Sequence, residues 1–155
     1  MALEIERKFL VISDNWQRLG TPEVVRQGYL SRDIERTVRV RIKGDKAFLT
    51  IKGRNEGAVR TEFEYAIPTD EAAVLLDTLA LKPLIEKTRT KVAYAGKIWE
   101  IRSFFGENEG LVLAEVELAS ENETVQLPSW IGQEVTHLTR YYNSALSERP
   151  YCKWT

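Results

Sequence analysis

Charged side chains recur at every second position along most of the segments that alternate in polarity, and their sign changes from segment to segment. The basic positions are Arg39, Arg41, Lys52, Lys87 and Arg89, and the acidic positions are Glu4, Glu6, Glu62, Glu64, Glu115 and Glu117. Guanidinium and ammonium groups bind phosphate oxygens. Clustered carboxylates favour a hard divalent cation such as Mg²⁺ or Mn²⁺. If both sets face one interior, the pattern suits a polyphosphate bridged by a metal ion that activates water for attack on phosphorus.

Strands must position these residues, because the surrounding sequence alternates between apolar and polar. In the segment 3–11, Leu3, Ile5, Phe9 and Val11 share one face, and Glu4, Glu6, Lys8 and Leu10 share the other. A solvated strand face explains one such segment, but the pattern returns over 24–30, 37–43, 47–52, 59–67, 84–94, 97–104 and 111–118. The sequence therefore predicts a mainly β fold, an eight-stranded antiparallel barrel with a charged, wet interior and a few peripheral helices.

Three helical segments are expected around this barrel. Asp14 and its neighbours cap a short helix through Trp16 and Leu19, Thr69 caps a helix over 70–80, and a short helix follows over 139–146. The apolar stripe of the second helix is Ala72, Leu75, Leu76 and Leu79. The apolar residues predicted to pack outward against the helices are Phe9, Val40, Phe63, Trp99 and Val116.

Composition limits the class of protein. The chain has 155 residues, of which 43% are hydrophobic and 29% charged, with a net charge of −1. This is typical of one globular domain over 1–155, with no global basic field for a nucleic acid or a membrane surface. A single cysteine excludes an internal disulfide, and no apolar run is long enough to span a bilayer. We expect a cytoplasmic protein, either a monomer or a homodimer.

The opening Glu4-x-Glu6-x-Lys8 resembles the E-x-E-x-K signature of the CYTH superfamily, the triphosphate tunnel metalloenzymes. The resemblance continues in order through 27–30, Arg36-Thr37-Val38-Arg39-Val40-Arg41, 49–52, 62–65, 85–89, Ala114-Glu115-Val116-Glu117 and Arg140-Tyr141-Tyr142-Asn143. It covers almost the whole chain and is closest to the small bacterial members. It implies an eight-stranded tunnel that holds a triphosphate and one or two divalent metals, and a metal-dependent hydrolase of inorganic triphosphate.

The resemblance also implies roles for individual residues. The implied phosphate-binding residues are Lys8, Arg39, Arg41, Lys52, Lys87 and Arg89. The implied ligands of Mg²⁺ or Mn²⁺ are Glu4, Glu6, Glu62, Glu64, Glu115 and Glu117, and the implied catalytic residues are Glu4, Glu6 and Lys8. Any of these residues alternatively forms an internal salt bridge that only holds the tunnel open. Tyr29 is either a structural residue of the tunnel or a substrate contact, and His137 is expected in a loop.

Two positions depart from what the resemblance implies. Relatives usually carry an acidic residue where this chain has Arg102, and another where it has Leu138. Arg102 is predicted to pair with Glu100 or Glu117 and to occupy the place of the metal. Three alternatives to inorganic triphosphate hydrolysis therefore stay open: a non-catalytic or engineered polyphosphate-binding tunnel, a hydrolase of nucleoside or thiamine triphosphate, and an adenylate cyclase.

Overall fold

The fold, seen in a computed structural model that describes residues 3–154, is an antiparallel β-barrel with two short helices at its periphery. Its strands are β1 Leu3–Val11, β2 Pro22–Ser31, β3 Arg36–Lys43, β4 Lys46–Gly53, β5 Val59–Ile67, β6 Ile85–Tyr94, β7 Lys97–Phe104, β8 Val112–Glu117 and β9 Ile131–Glu134. The helices are α1 Thr69–Thr78 and α2 Asn143–Glu148, with 3₁₀ turns at Gly106–Asn108, Thr139–Tyr141 and Tyr151–Lys153. No helix within 3–154 is long and apolar enough to cross a membrane.

The first eight strands close into a barrel in the order β5-β4-β3-β2-β6-β7-β8-β1, and β1 pairs again with β5. The predicted eight-stranded barrel is confirmed. One edge of β1 pairs with β8 over Glu6 to Leu10. Its other edge is divided, because Leu3 to Ile5 pair with β5 whereas Phe9 and Val11 pair with β9. The strand that carries the E-x-E-x-K signature is thus held by three other strands.

Two apolar clusters cover the outside of the barrel. Val40, Ala72 and Leu76 form one of them, where α1 lies across β3 and β4. Phe9, Trp99, Ile101 and Val116 form the other, but Trp16 and Trp130 from irregular segments cover it. The expectation that helices cover the second cluster is therefore wrong. Tryptophan side chains cover this cluster instead, and the edge-to-face pair of Trp99 and Trp130 has ring centroids 5.9 Å apart.

Several local expectations are corrected. The segment around Trp16 forms turns and not a helix, because the buried Trp16 anchors it while Leu19 is 55% exposed. Pro68, not Thr69, is the N-cap of α1, since the proline ring fixes the extended backbone there. Helix α1 ends at Thr78, so Leu79 lies outside its apolar stripe and is 65% exposed. Phe63 is 42% exposed, so the expectation that it packs outward against a helix is wrong.

The segment after β9 covers one end of the barrel. Val135, Tyr141 and Leu146 pack into an apolar cluster with Tyr29 and Phe104, among other residues. A 3₁₀ turn and α2 replace the single helix predicted over 139–146, because Tyr142 between them has an extended backbone. The Arg32 guanidinium fixes α2, since it donates to the Ser147 hydroxyl at 3.0 Å and to the Ser147 carbonyl at 2.9 Å. One end of the interior is thus closed by side chains from the C-terminal segment.

Gly28 is required where the segment between α1 and β6 packs against β2. A Cβ built on Gly28 lies 2.6 Å from Leu84 Cδ2 and 2.9 Å from Ala80 Cβ. We expect Gly28→Ala to lower the free energy of unfolding by about 1–3 kcal/mol through overpacking. Gly53→Ala is the matched control, because its nearest contact is Thr61 Cβ at 3.5 Å. Urea denaturation of both variants measures the effect, and equal stabilities would contradict the close approach.

Candidate functional site

The interior of the barrel holds two connected cavities. The wide chamber has a volume of about 590 Å³ and opens at the end where Lys43, Lys91 and Ile98 lie. The narrow chamber has a volume of about 40 Å³ and lies beside Tyr142, Asn143 and Ser144 of the C-terminal segment. Five residues line both chambers and form the boundary between them: Glu6, Arg39, Lys52, Arg102 and Glu115.

The structure brings the predicted basic residues together in this interior. Val40, between Arg39 and Arg41, packs in the outer cluster under α1, so the period of two brings the charges to the opposite, inner side. Lys8, Arg39, Arg41, Lys87 and Arg89 are each 8% exposed or less. Lys52 lies with them, with its side chain 15% exposed. The predicted charged interior is thus present.

Four buried arginines keep an unused hydrogen-bond donor. The Nε–H groups of Arg39, Arg41, Arg89 and Arg102 are buried and have no acceptor within residues 3–154. A buried N–H without a partner lowers the stability of the fold by about 1–3 kcal/mol. Four such groups around one interior therefore favour the binding of a molecule that brings hydrogen-bond acceptors. An anion with many oxygens inside the barrel supplies such acceptors.

The acidic residues divide into two groups, and the first is neutralised by arginines. Arg41 lies 3.2 Å from Glu64 Oε2, and Arg39 lies 3.9 Å from the same oxygen. The Arg102 guanidinium bonds Glu100 at 3.2 Å and contacts Glu115 directly. The prediction that Arg102 pairs with Glu100 is confirmed, and its alternative Glu117 is replaced by Glu115.

The second group has too few cations. Glu4 and Glu62 share one ammonium, since Lys52 Nζ lies 3.0 Å from Glu4 and 3.3 Å from Glu62. Glu6 and Glu117 form no ion pair within the described part of the chain. Among these same residues, no three His, Cys, Asp or Glu side chains converge closely enough to form a preassembled metal site. Lys52 holds the position between two carboxylates that a metal would share.

Mutual repulsion and burial shift the pKa values of the carboxylates in this second group. Burial and a hydrogen bond with Glu4 raise the pKa of Glu62 to about 7. Burial opposes ionisation of Glu4, but Lys52 and Glu62 outweigh it and lower the pKa of Glu4 to about 2. Burial, and then the charges of Glu4 and Glu6, raise the pKa of Glu117. Hard oxygen donors that repel one another in this way fit a divalent cation.

The raised pKa of Glu62 makes stability depend on pH. Between its ordinary value of 4.5 and about 7, the folded chain binds more protons at Glu62 than the unfolded chain, so this group's contribution falls as pH rises. In a chelator, the unfolding free energy of Glu62→Gln minus that of the parent should increase from pH 5 to pH 8. Urea denaturation at each pH measures it. Glu86→Gln, at an exposed position of β6, is the control, and its difference in unfolding free energy from the parent should not change with pH. A difference for Glu62→Gln that also stays constant with pH would refute the raised pKa of Glu62.

Two lysines approach the narrow chamber without a strong counter-ion. Lys87 is fully buried and donates to Asn143 Oδ1 at 3.4 Å, and burial followed by nearby arginine charges lowers its pKa well below the ordinary value. Burial also lowers the pKa of Lys8 to about 8. Lys8 Nζ lies 3.6 Å from Glu115 and 5.0 Å from the Tyr142 ring centroid. Both ammonium groups therefore favour an additional anion.

The structure adds residues that sequence reasoning did not place in the interior. Thr50, Arg60, Thr136 and Asn143 line the narrow chamber. Asn143 belongs to the Arg140–Asn143 match, but the match alone does not show that it reaches Lys87. Tyr29 lines the chamber and packs in the apolar cluster, whereas Leu138 and His137 are exposed in the turn after β9. The expectation of a loop position for His137 is confirmed.

A closed barrel with both arginines and carboxylates inside defines a tunnel for a compact polyanion and a cation. The chain is similar to known proteins over nearly its whole length. The chain belongs to the CYTH domain family, whose profile matches residues 2–151.

Two related proteins and one solved structure carry the name inorganic triphosphatase. An inorganic triphosphatase of Acetivibrio thermocellus is 48% identical over 151 residues, which cover 97% of this chain and 97% of that protein. An inorganic triphosphatase of Nitrosomonas europaea is 35% identical over 153 residues, covering 93% and 96% of the two chains. A solved structure of an inorganic triphosphatase superposes with a TM-score of 0.68 at 33% identity, covering 95% of each chain.

Proposed function

We propose that this protein hydrolyses inorganic triphosphate inside the barrel with the help of a divalent metal. The observation that carries the proposal is the interior itself, where four guanidinium Nε–H groups have no acceptor among residues 3–154 and where two carboxylates share one ammonium. Triphosphate satisfies the first feature with its oxygens, and a divalent cation satisfies the second. The 48% identity to an inorganic triphosphatase supports the same activity.

In this proposal the basic residues hold the substrate. The proposed phosphate-binding residues are Lys8, Arg39, Arg41, Lys52, Lys87 and Arg89. Arginine offers planar N–H pairs to phosphate oxygens, and burial of the guanidinium groups strengthens each contact because the local dielectric constant is lower than that of water. Phosphoryl transfer depends mainly on positioning and charge stabilisation, so no covalent intermediate with the protein is needed.

The carboxylates on the side of β1 and β5 fit the metal. Glu4, Glu6, Glu62 and Glu117 would hold it, after Lys52 moves from Glu4 and Glu62 to the substrate. Glu64 and Glu115, also expected as ligands, are engaged by arginines, and we propose that they orient Arg41 and Arg102. A bound metal supplies neutralisation of phosphate charge and a more acidic water.

The reaction then needs a proton acceptor and a positioned water. Glu6 lines both chambers and is proposed to accept a proton from the attacking water. The water oxygen bonds to the terminal phosphorus while the bridging P–O bond breaks, which yields orthophosphate and pyrophosphate. Lys8 lies beside Glu6 and donates to the departing phosphate oxygens, since its ammonium is protonated below its pKa of about 8.

One observation favours a second candidate function. The Arg102 guanidinium lies between Glu100 and Glu115, where it adds attraction for phosphate and repulsion for a metal. The protein would then bind polyphosphate without hydrolysing it. The wide chamber also leaves nucleoside or thiamine triphosphate hydrolysis and adenylate cyclisation as alternatives to test.

Product analysis separates these functions. The protein is incubated with tripolyphosphate, ATP or thiamine triphosphate, and with Mg²⁺, Mn²⁺ or a chelator, and orthophosphate and cyclic AMP are measured. We expect orthophosphate from tripolyphosphate, at least about tenfold faster than from ATP, only with a metal. Calorimetric binding of tripolyphosphate without release of phosphate would support the binding function, and no binding would reject both.

Several finer expectations stay predictions. They are the choice of Mg²⁺ or Mn²⁺, action on longer polyphosphates, a cytoplasmic location, one domain over 1–155, a monomer or homodimer, and no nucleic-acid or membrane partner. A small-molecule triphosphate substrate, in contrast, is supported by the names of the relatives.

A further inference from the structure

Arg102 lies at the centre of the interior, on the boundary between the two chambers. Its side chain is 9% exposed, and that of Glu115 is 5% exposed. Glu100 and Glu115 are direct register partners on β7 and β8, so their side chains leave the sheet on the same face. Two carboxylates in this arrangement repel each other, and a cation or a proton between them relieves the repulsion.

The Arg102 guanidinium is that cation. Its Nη2 lies 3.2 Å from Glu100 Oε2, and its Nη1 contacts Glu115 Oε1. Arg89 approaches Glu100 at 3.6 Å, and Lys8 approaches Glu115 at 3.6 Å. This pair of carboxylates is therefore fully neutralised, in contrast to Glu4, Glu6, Glu62 and Glu117.

One donor of Arg102 remains unused. Its Nε–H is buried and has no acceptor within the described range 3–154. The guanidinium therefore holds two carboxylates and still offers an N–H to a further oxygen. Because Arg102 lines both chambers, an anion that extends from one chamber to the other passes this group.

We propose that Arg102 is a fixed cation that takes the place of a second divalent ion in this tunnel. The protein then holds one divalent cation, on the side of Glu4 and Glu62, and binds triphosphate partly through Arg102 even when no metal is present. This inference rests on the proposed function, because it concerns the same interior. It differs from that function in predicting metal stoichiometry and metal-free binding, which do not depend on turnover.

Calorimetry on variants tests the proposal. Mn²⁺ alone is titrated into one set of samples, and tripolyphosphate in the presence of a chelator into another. We expect the parent to bind one Mn²⁺ and to bind tripolyphosphate in the chelator. Arg102→Asp should bind a second Mn²⁺ and should bind tripolyphosphate at least about 30-fold more weakly in the chelator.

Two further variants make the result specific. Arg26→Asp introduces the same charge change at an exposed position of strand β2, and it should leave both titrations unchanged. Arg102→Gln with Glu115→Gln removes the buried ion pair as a unit, so no carboxylate is left unpaired if Arg102→Asp fails to fold. This double variant should still bind one Mn²⁺ and should bind tripolyphosphate about tenfold more weakly in the chelator.

The outcomes separate this inference from the proposed function. Two Mn²⁺ ions on the parent, or equal tripolyphosphate affinity in the chelator for the parent and the Arg102 variants, would overturn the role of Arg102. Failure of the parent to bind tripolyphosphate with and without Mn²⁺ would overturn the proposed function as well. Hydrolysis by a parent that binds two Mn²⁺ ions would keep the function and reject the fixed cation.

Discussion

Glu6→Gln is expected to lower the rate of tripolyphosphate hydrolysis by about 10²–10³-fold, because metal binding and proton acceptance both use this carboxylate in the proposed reaction. The loss corresponds to about 3–4 kcal/mol of transition-state stabilisation, within the range of metal-ion catalysis. Glu6 lines both chambers and forms no ion pair within residues 3–154. Its removal still leaves the Lys8 ammonium with Glu115 at 3.6 Å, so the unfolding free energy should change little.

The measurement combines initial rates of phosphate release with a calorimetric titration of Mn²⁺. Glu86→Gln is the control, since Glu86 is an exposed residue of β6 and the same atoms change. The variant should bind Mn²⁺ at least about tenfold more weakly, in line with the loss of a ligand. A Glu6→Gln protein that keeps more than a third of the parent rate would remove Glu6 from the mechanism.

Arg41→Ala and Arg89→Ala should each weaken tripolyphosphate binding by about 10–150-fold with little loss of stability. Each variant loses charge-assisted hydrogen bonds worth about 1.5–3 kcal/mol. Two of their carboxylate partners keep another cation, because Glu64 also lies 3.9 Å from Arg39 and Glu100 lies 3.2 Å from Arg102. Glu23, the other partner of Arg89 at 3.4 Å, has a 43% exposed side chain, so water solvates it when the guanidinium is removed.

Calorimetry and thermal melting of the same samples separate binding from folding. Arg26→Ala on the exposed face of β2 is the control and should change neither quantity. Unchanged tripolyphosphate affinity in a variant with a normal melting temperature would show that Arg41 or Arg89 serves the barrel and not the substrate.

The sequence contained enough information for the barrel and for the set of charged residues inside it. Alternation in 3–11 and in seven later segments predicts eight strands, because successive side chains of a strand point to opposite faces. The same alternation fixes which face is charged, since a shift of one residue would move every charge into the apolar layer. The period of two also predicts which side chains share the interior, as Arg39 and Arg41 do. These conclusions depend only on local pattern.

Sequence pattern did not predict the covering of the outer surface. Trp16 and Trp130 lie in irregular segments, and nothing periodic indicates that they meet over Trp99. The turns around Trp16 have a helix-like composition, but burial of one tryptophan decides their conformation. Tertiary packing overrides local propensity there.

Sequence pattern also did not predict which carboxylate pairs with which cation inside the barrel. Glu115 and Glu117 lie on the same face of β8, and only the register with β7 decides that Arg102 meets Glu115. The sharing of Lys52 between Glu4 and Glu62 depends on barrel closure, which brings β1, β4 and β5 together. Such contacts follow from topology and not from spacing along the chain.

The divided edge of β1 has a consequence for how the protein folds during synthesis. β1 is made first, yet its partner β9 begins about 120 residues after β1 ends. At about 5–20 residues per second, the ribosome needs roughly 6–24 s to deliver that partner. Until then, the part of this edge that pairs with β9 through Phe9 and Val11 stays open, and closing so long a loop is slow. The strand that holds the proposed catalytic carboxylates is thus also a nascent segment with an edge open to mispairing until the last strand is made.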